Sequence, residues 1–334
     1  MTAVLALTLG DPAGIGPEIA LRAWIARREA GLTPFLILGD PDFLAATARR
    51  LGLDVPVVVG EPEEAAAGFD RALLVRPLAR GLPLRAQAGR PDPANAPAIL
   101  ASIEEAVALV RAGRCAALVT CPIAKHVLYD AGFAHPGHTE FLAALAAAPG
   151  EAPPRPVMLL WSQTLAVVPV TIHVPLRAVP DLLTADLVIE TARIVDRDMR
   201  VRFGIAAPRL VLAGLNPHAG EAGSIGTEDR DVLAPAVESL RREGIDIRGP
   251  LSADTLFHAR ARATYDVALA PTHDQALIPI KTLAFDDGVN VTLGLPFLRT
   301  SPDHGTAFDI AAQGVAKPDS LVAALRLAGR LSAR

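Results

Sequence analysis

The sequence predicts an α/β protein in which helices cover a largely parallel sheet. Three observations carry this reading. Short apolar runs of the kind that form buried strands alternate along the chain with longer segments of helical period. Hydrophobic residues make up 51% of the chain and aromatic ones only 4%, so packing rests on Ala, Leu and Val side chains between layers. The length, 334 residues, exceeds what one hydrophobic core usually organises, so two domains or one elaborated α/β unit are expected.

The first apolar run, Val4 to Leu9, feeds the stretch LTLGDPAGIGPEIA, in which Gly10, Gly14 and Gly16 precede a helix opening at Pro17. Its glycine spacings match neither Gly-x-Gly-x-x-Gly nor the Walker loop, and Glu18 at the positive end of the helix competes with a bound phosphate. A tight strand-to-helix turn is the local reading. Further strands are expected at FLILG, VPVVV, ALLVRP, AALVTC, VMLLW, TLAVVPVTIH, RLVLAGLN, VALAPTH and VNVTLGLP. Helices are expected over 17–30, 94–112, 181–199, 228–243 and 318–332. Residues 81–98 and 146–156, rich in Gly, Pro and Ala, read as breaks between elements.

Lys plus Arg (32) nearly balance Asp plus Glu (36), and no basic block tracks a phosphodiester backbone, so nucleic acid is not an expected partner. Cys115 and Cys121 are too few for a disulfide framework. No apolar stretch is long enough to span a bilayer and the first residues lack a charged leader, so a cytoplasmic protein is expected.

Five of the eight histidines, His138, His173, His218, His273 and His304, lie at the ends of apolar runs or beside small and polar residues. Ligands of parallel α/β sheets bind at the carboxyl ends of strands, which is where such residues fall. His173, His218 and His273 each close a strand-like run, so three imidazoles could meet one ion. Three histidines hydrogen-bonded to carbonyls at strand ends are the plainer reading of the pattern, and spacing alone does not establish a metal site. Asp254, Asp274, Lys281, Asn290 and Arg299 gather in the C-terminal third. Asn290 interrupts a strand that reads as fully buried, where an amide must find partners. With His138 and Thr139, Lys281 and Arg299 would supply donors for a phosphate or carboxylate dianion. Taken singly, they read as a structural amide and solvated surface charges.

The motifs GDPAGIGPE, PGHTEFLA, LAGLNPHAGEAGSIGTED, GPLSADTLF, HDQALIPIK and GVNVTLGLPFLRTSPDHGTAFDIA together resemble the 4-hydroxythreonine-4-phosphate dehydrogenase family. The resemblance runs from about residue 4 to about residue 330. It implies two α/β/α domains with a cleft between them, in the wider fold group of isocitrate and isopropylmalate dehydrogenases, whose chains carry a similar GDGIGPE stretch. The expected division is 1–130 with 295–334 as a cofactor-side domain, and 131–294 as a metal- and dimer-side domain. By resemblance, His173, His218 and His273 match the ligands of a divalent ion (Zn, Mg or Co), with one subunit of a homodimer completing the site of the other. His138, Thr139, Lys281, Asn290 and Arg299 match substrate-contacting positions. The entry turn, with Asp11 exposed and Gly14 beside it, is expected to line the cleft near the cofactor, NAD with NADP as the alternative.

The implied reaction, in pyridoxal phosphate biosynthesis, oxidises 4-phosphooxy-L-threonine at its carbon 3 hydroxyl to 2-amino-3-oxo-4-phosphooxybutanoate. That product loses carbon dioxide to leave 3-amino-2-oxopropyl phosphate. A divalent ion acidifies the hydroxyl and later accepts charge as the carboxylate leaves, while Lys281, Asp254 and Asp274 are the candidate bases. Where family members read Tyr-His-Asp-Gln-Gly this chain has THDQA, so Thr272 and Ala276 keep open a related substrate. A four-carbon sugar-acid phosphate or a cyclic dihydrodiol carboxylate would be such a substrate. From other classes, a metal-dependent phosphatase predicts phosphate release without NAD, and a sugar-phosphate binding protein predicts no turnover.

Overall fold

All ten expected strands form in the computed structural model, which describes residues 3–78, 82, 84, 86–148 and 150–333. The chain packs as two α/β units, Met1–Pro156 with Leu295–Arg334, and Val157–Gly294. The break expected over 81–98 lies partly outside the described residues.

The first unit runs β1 (Leu5–Thr8), α1 (Gly16–Ile25), β2 (Phe35–Gly39), α2 (Pro41–Arg50), β3 (Val57–Val59) and α3 (Pro62–Gly68). It continues through β4 (Leu73–Pro77), α4 (Ala96–Arg111), β5 (Ala117–Thr120), α5 (Lys125–Asp130) and α6 (His138–Ala146). The second unit holds β6 (Val157–Trp161), β7 (Ala166–Pro169), α7 (Val179–Leu182), α8 (Ala185–Val201), β8 (Leu210–Ala213) and α9 (Ala234–Arg242). After these come β9 (Ile247–Leu251), α10 (Ala259–Arg262), β10 (Val267–Ala270), α11 (His273–Leu283) and β11 (Val289–Leu293). The chain then returns to the first unit for β12 (Arg299–Pro302) and α12 (Asp319–Ser332).

In the first unit the strand order is β3-β4-β2-β1-β5-β12, all parallel. Sequence order reverses on either side of β1, so the loops after β1 and β5 meet at the carboxyl edge, the usual ligand position of such sheets. The Asp11 N–H donates to the Pro122 carbonyl at 2.9 Å across that junction. The core is aliphatic, as the composition implied: Leu36, Leu38, Ile99, Ile103 and Leu118 pack with Phe141, Leu142 and Ala146 of α6. That packing binds α6 to the first unit. The division therefore falls at Pro156/Val157 and not after residue 130.

The second unit orders its strands β11-β6-β7-β10-β8-β9, antiparallel through β11, β6 and β7 and parallel from β7 to β9. Helix α8 shows why these segments are helical. Its buried Val188, Thr191, Ala192, Val195 and Met199 fall at i, i+3, i+4, i+7 and i+11, one face of a helix, and the Thr184 hydroxyl caps it by accepting the Leu187 N–H at 3.1 Å.

Two strands have no apolar signature. β9 carries Gly and Pro in IRGPL, tolerable at a sheet edge. β12 begins Arg-Thr-Ser, yet all its residues are buried. Its polar atoms are met inside the unit: the Thr300 hydroxyl donates to the Ala324 carbonyl at 3.0 Å, and Arg299 donates to Thr120. Both cysteines are buried free thiols, each pushed up to about 12 by burial. Among the described residues no helix is long and apolar enough to cross a membrane.

Candidate functional site

Three adjacent parallel strands of the second unit, β7, β10 and β8, lead into the loops that carry His173, His273 and His218. The strands stop earlier than the sequence pattern suggested. His173 and His218 lie in the loops beyond β7 and β8, and His273 is the first residue of α11. The loops after β7 and β10 are tied together by the Thr171 hydroxyl and the Val170 N–H, which donate to the carbonyls of Pro271 and Ala270 at 2.7 and 2.8 Å. This stitching sets the His173 and His273 rings side by side, with centroids 5.4 Å apart. An open pocket lies against them, walled by Thr171, His173, Leu176, Thr272, His273 and Asp274.

The His273 ring is oriented by its neighbour. Its Nδ1 lies 2.8 Å from Asp274 Oδ1, the kind of partnership that orients a histidine able to hold an ion through Nε2. Thr272 and Ala276 have local explanations. Thr272 caps α11, its hydroxyl accepting the Gln275 N–H at 3.4 Å while its own N–H donates to Gln275 Oε1 at 3.1 Å. Ala276 is fully buried against Ala268, Ala270 and Ile280, where small size suits the helix-to-sheet contact. Gln275 Nε2 also donates to the Gly214 carbonyl at 2.8 Å, joining the start of α11 to the loop that holds His218.

Strain marks two of the three histidines. His173 (φ 53) and His218 (φ 54) are among six described non-glycine residues with a left-handed backbone. His218 opens a run of five left-handed residues, His218 to Ala222, of which only Gly220 is glycine. Each of the others costs about 1–2 kcal/mol, and strain of this kind clusters at functional sites. Among the described residues of one chain, no three His, Cys, Asp or Glu side chains close on a single point, so the pair His173–His273 is brought together without His218.

The other residues expected in this half are dispersed. Asp254 is exposed in a 3-10 turn after β9, and Lys281 is half-buried on α11 with its Nζ 5.5 Å from the Phe285 ring. Asn290, expected to be buried, is only half-buried on β11 opposite Leu160 of β6, so its amide retains access to solvent or ligand.

The first unit builds an anion-seeking cluster. Arg299, 4% exposed, donates from Nε and Nη2 to the Thr120 hydroxyl at 3.1 and 2.7 Å. Burial holds its guanidinium down to about 10. His138 is the first residue of α6, and its buried Nε2 has no hydrogen-bond partner. Burial and the nearby Arg299 charge push this imidazole well below its ordinary range, so it is neutral. Thr139 follows on the same first turn, which no side chain caps and which also carries the acidic Glu140.

The entry turn is tight, and its glycines are required by close approach. A Cβ at Gly10 would lie 2.6 Å from the Pro122 carbonyl oxygen, at Gly14 2.8 Å from that of Thr306, and at Gly16 2.8 Å from that of Leu9. Gly14 borders an open space of about 330 Å³ together with Pro12, Glu18, Phe43 and Arg50. Asp11 is not exposed there as expected. It is 1% exposed, with Oδ1 accepting the Ala13 N–H at 2.9 Å and Oδ2 without a partner. The backbone needs a local acceptor at this turn, and that need draws the side chain inward.

Burial raises the Asp11 carboxyl above the ordinary carboxylate range, so the folded chain holds this proton more tightly than the unfolded chain. The stability this contributes is complete below the unfolded value and is lost as pH rises through the folded one. Asp11→Asn is therefore expected to gain more stability relative to wild type at pH 7 than at pH 4. Thermal denaturation at both pH values checks this, and a variant with the wild-type slope would show that Asp11 has a compensating partner.

A family model described as pyridoxal phosphate biosynthetic protein PdxA matches residues 31–328. The chain belongs to the PdxA family. Among PdxA relatives, the 4-hydroxythreonine-4-phosphate dehydrogenase of Methylorubrum populi is 73% identical over 330 residues, covering 99% of this chain and 95% of that one. The crystal structure of the Klebsiella pneumoniae 4-hydroxythreonine-4-phosphate dehydrogenase superposes with a TM-score of 0.85 at 36% identity, covering 99% of each chain. A terephthalate 1,2-cis-dihydrodiol dehydrogenase from Burkholderia xenovorans superposes with a TM-score of 0.66 at 29% identity, covering 98% of this chain and 97% of that one.

Sequence reasoning missed two residues that brace these candidate groups of the PdxA chain. Thr120 ends an apolar strand and gives no signal. Gln275 was visible in principle, since Thr-x-x-Gln before a helical run is a capping box.

Proposed function

We propose that this PdxA chain is a divalent-metal-dependent, NAD-linked 4-hydroxythreonine-4-phosphate dehydrogenase, working in the cytoplasm as a homodimer. The observation that carries the reading is the His173–His273 pair at the ends of adjacent parallel strands, with Asp274 on His273 Nδ1. A pair of imidazoles, one of them oriented by a carboxylate, suits a divalent ion of the zinc or cobalt class. His173, His273 and His218 would hold it, with the partner subunit supplying what one chain does not gather. When bound, the ion acidifies the substrate hydroxyl and polarises the resulting ketone, and NAD accepts the hydride.

The chain's own residues do the rest. Arg299, His138 and Thr139 bind the phosphate, with neutral His138 able to take a proton as the dianion arrives. Lys281 and Asn290 add polar contacts to the substrate. Asp274 orients His273, which leaves proton abstraction from the hydroxyl to Lys281 or Asp254. Gly14 and the space beside it are the place for the cofactor, with Asp11 bracing the turn through Ala13. Exposed apolar side chains near the metal residues support pairing with a second copy: Leu176 by the cavity, and Ile278, Leu283 and Phe285 on or just beyond α11.

Because Thr272 and Ala276 have structural roles, they do not by themselves call for a different substrate. The test is NADH absorbance from purified protein with 4-phosphooxy-L-threonine, NAD and each candidate ion. Turnover confined to a sugar-acid phosphate or a cyclic dihydrodiol carboxylate would reassign the substrate. Phosphate release in the absence of NAD would instead establish the phosphatase.

A further inference from the structure

We propose that Asp229 is a positioning residue for His218, holding the left-handed turn from which that imidazole would reach the divalent ion. The proposal rests on the reading of His218 as a ligand. Asp229 is buried at the start of a π-helical turn, Asp229–Leu233, that leads into α9. Its Oδ1 accepts the Leu215 N–H at 2.8 Å, and its Oδ2 accepts the Asn216 N–H at 3.0 Å and Asn216 Nδ2 at 2.9 Å. One carboxylate thus grips the two residues that lead, through Pro217, into His218.

The grip also extends beneath the turn. A Cβ at Gly214 would lie 2.8 Å from Asp229 Oδ1, and one at Gly220 would lie 3.3 Å from Oδ2. Asn216 is held from a second side, its Nδ2 donating to Glu228 Oε2 at 2.8 Å, while Gly226 leaves room for that amide. Five consecutive positive-φ residues do not persist unless their surroundings over-determine them. These contacts supply that constraint, and no cationic side chain pairs with the carboxylate among the described residues. Backbone N–H groups and one amide compensate the charge, so the carboxylate can rest only where the turn has this shape. A ligand on a turn so held is presented in one direction, as a metal site requires of its supporting groups.

The test is direct cobalt(II) binding to the full chain, followed by visible absorption, with the circular dichroism and melting temperature of the metal-free protein as folding controls. Asp229→Asn keeps the volume but replaces one acceptor by a donor. It is expected to weaken cobalt binding about 10–100-fold and to alter the visible bands. Asn216→Ala removes a single contact to Asp229 and is expected to weaken binding by a smaller factor, which decides the matter if Asp229→Asn does not fold. His218→Ala serves as the reference. If it weakens cobalt binding while folded Asp229→Asn and Asn216→Ala bind as wild type, the positioning role is overturned and the ligand reading stands. If His218→Ala itself binds as wild type, the ligand reading fails, and the proposal with it.

Discussion

Replacing His273 with alanine is expected to leave the chain folded while lowering divalent-metal affinity and kcat/KM on the order of 10³-fold. The fold should survive because the cap of α11 belongs to Thr272 and Gln275, which the substitution does not touch. The site should not survive, because His273 forms the ring pair with His173 and is the imidazole oriented by a carboxylate. Asp274→Asn should fall between wild type and His273→Ala, about 10–100-fold down, since it disturbs the orientation of the ring and not the ring itself. Metal content after dialysis, measured beside steady-state rates, separates the two. If the alanine variant retains its metal at wild-type affinity, the ion does not sit at the end of β10.

Arg299→Met is expected to lower kcat/KM by about 10²–10³-fold, roughly 3–4 kcal/mol, and to abolish competitive inhibition by inorganic phosphate. A buried guanidinium anchored on Thr120 cannot be replaced by water, and the neutral His138 beside it has its Nε2 waiting for a partner. Arg299→Lys should recover little, because a point charge cannot bond Thr120 and a phosphate as a planar fork does. The phosphate takes no part in the bond changes at the neighbouring carbon, so part of the loss should appear in kcat, as expected when binding energy from a non-reacting group aligns the reacting one. An unchanged phosphate inhibition constant in the folded variant would place the phosphate elsewhere. Because the methionine also removes the buried charge, the melting temperature should hold or rise.

Much of the scaffold is legible in the chain because buried parallel strands need apolar runs whatever surrounds them. Val4 to Leu9 reads as a strand by itself, and so do nine later segments. The breakdown comes at β12, where Arg299, Thr300 and Ser301 are buried against the local pattern because partners far along the chain, Thr120 and Ala324, satisfy their polar atoms. Asp11 also reads as a surface acid, but here a local turn through the Ala13 N–H seals it inside.

Residue types and motif order, then, are enough to identify the family, to place helices and most strands, and to single out His138, His173, His218, His273 and Arg299. Each of these facts is local, carried by periodicity or by contiguous residues. Tertiary structure alone decides that β7, β10 and β8 are neighbours, which brings His173 against His273, and that Asp229 lies beneath the turn bearing His218. Those relations join residues tens of positions apart through the order in which strands pair. No pattern within a single segment encodes that order, because it arises from how the whole sheet buries its faces.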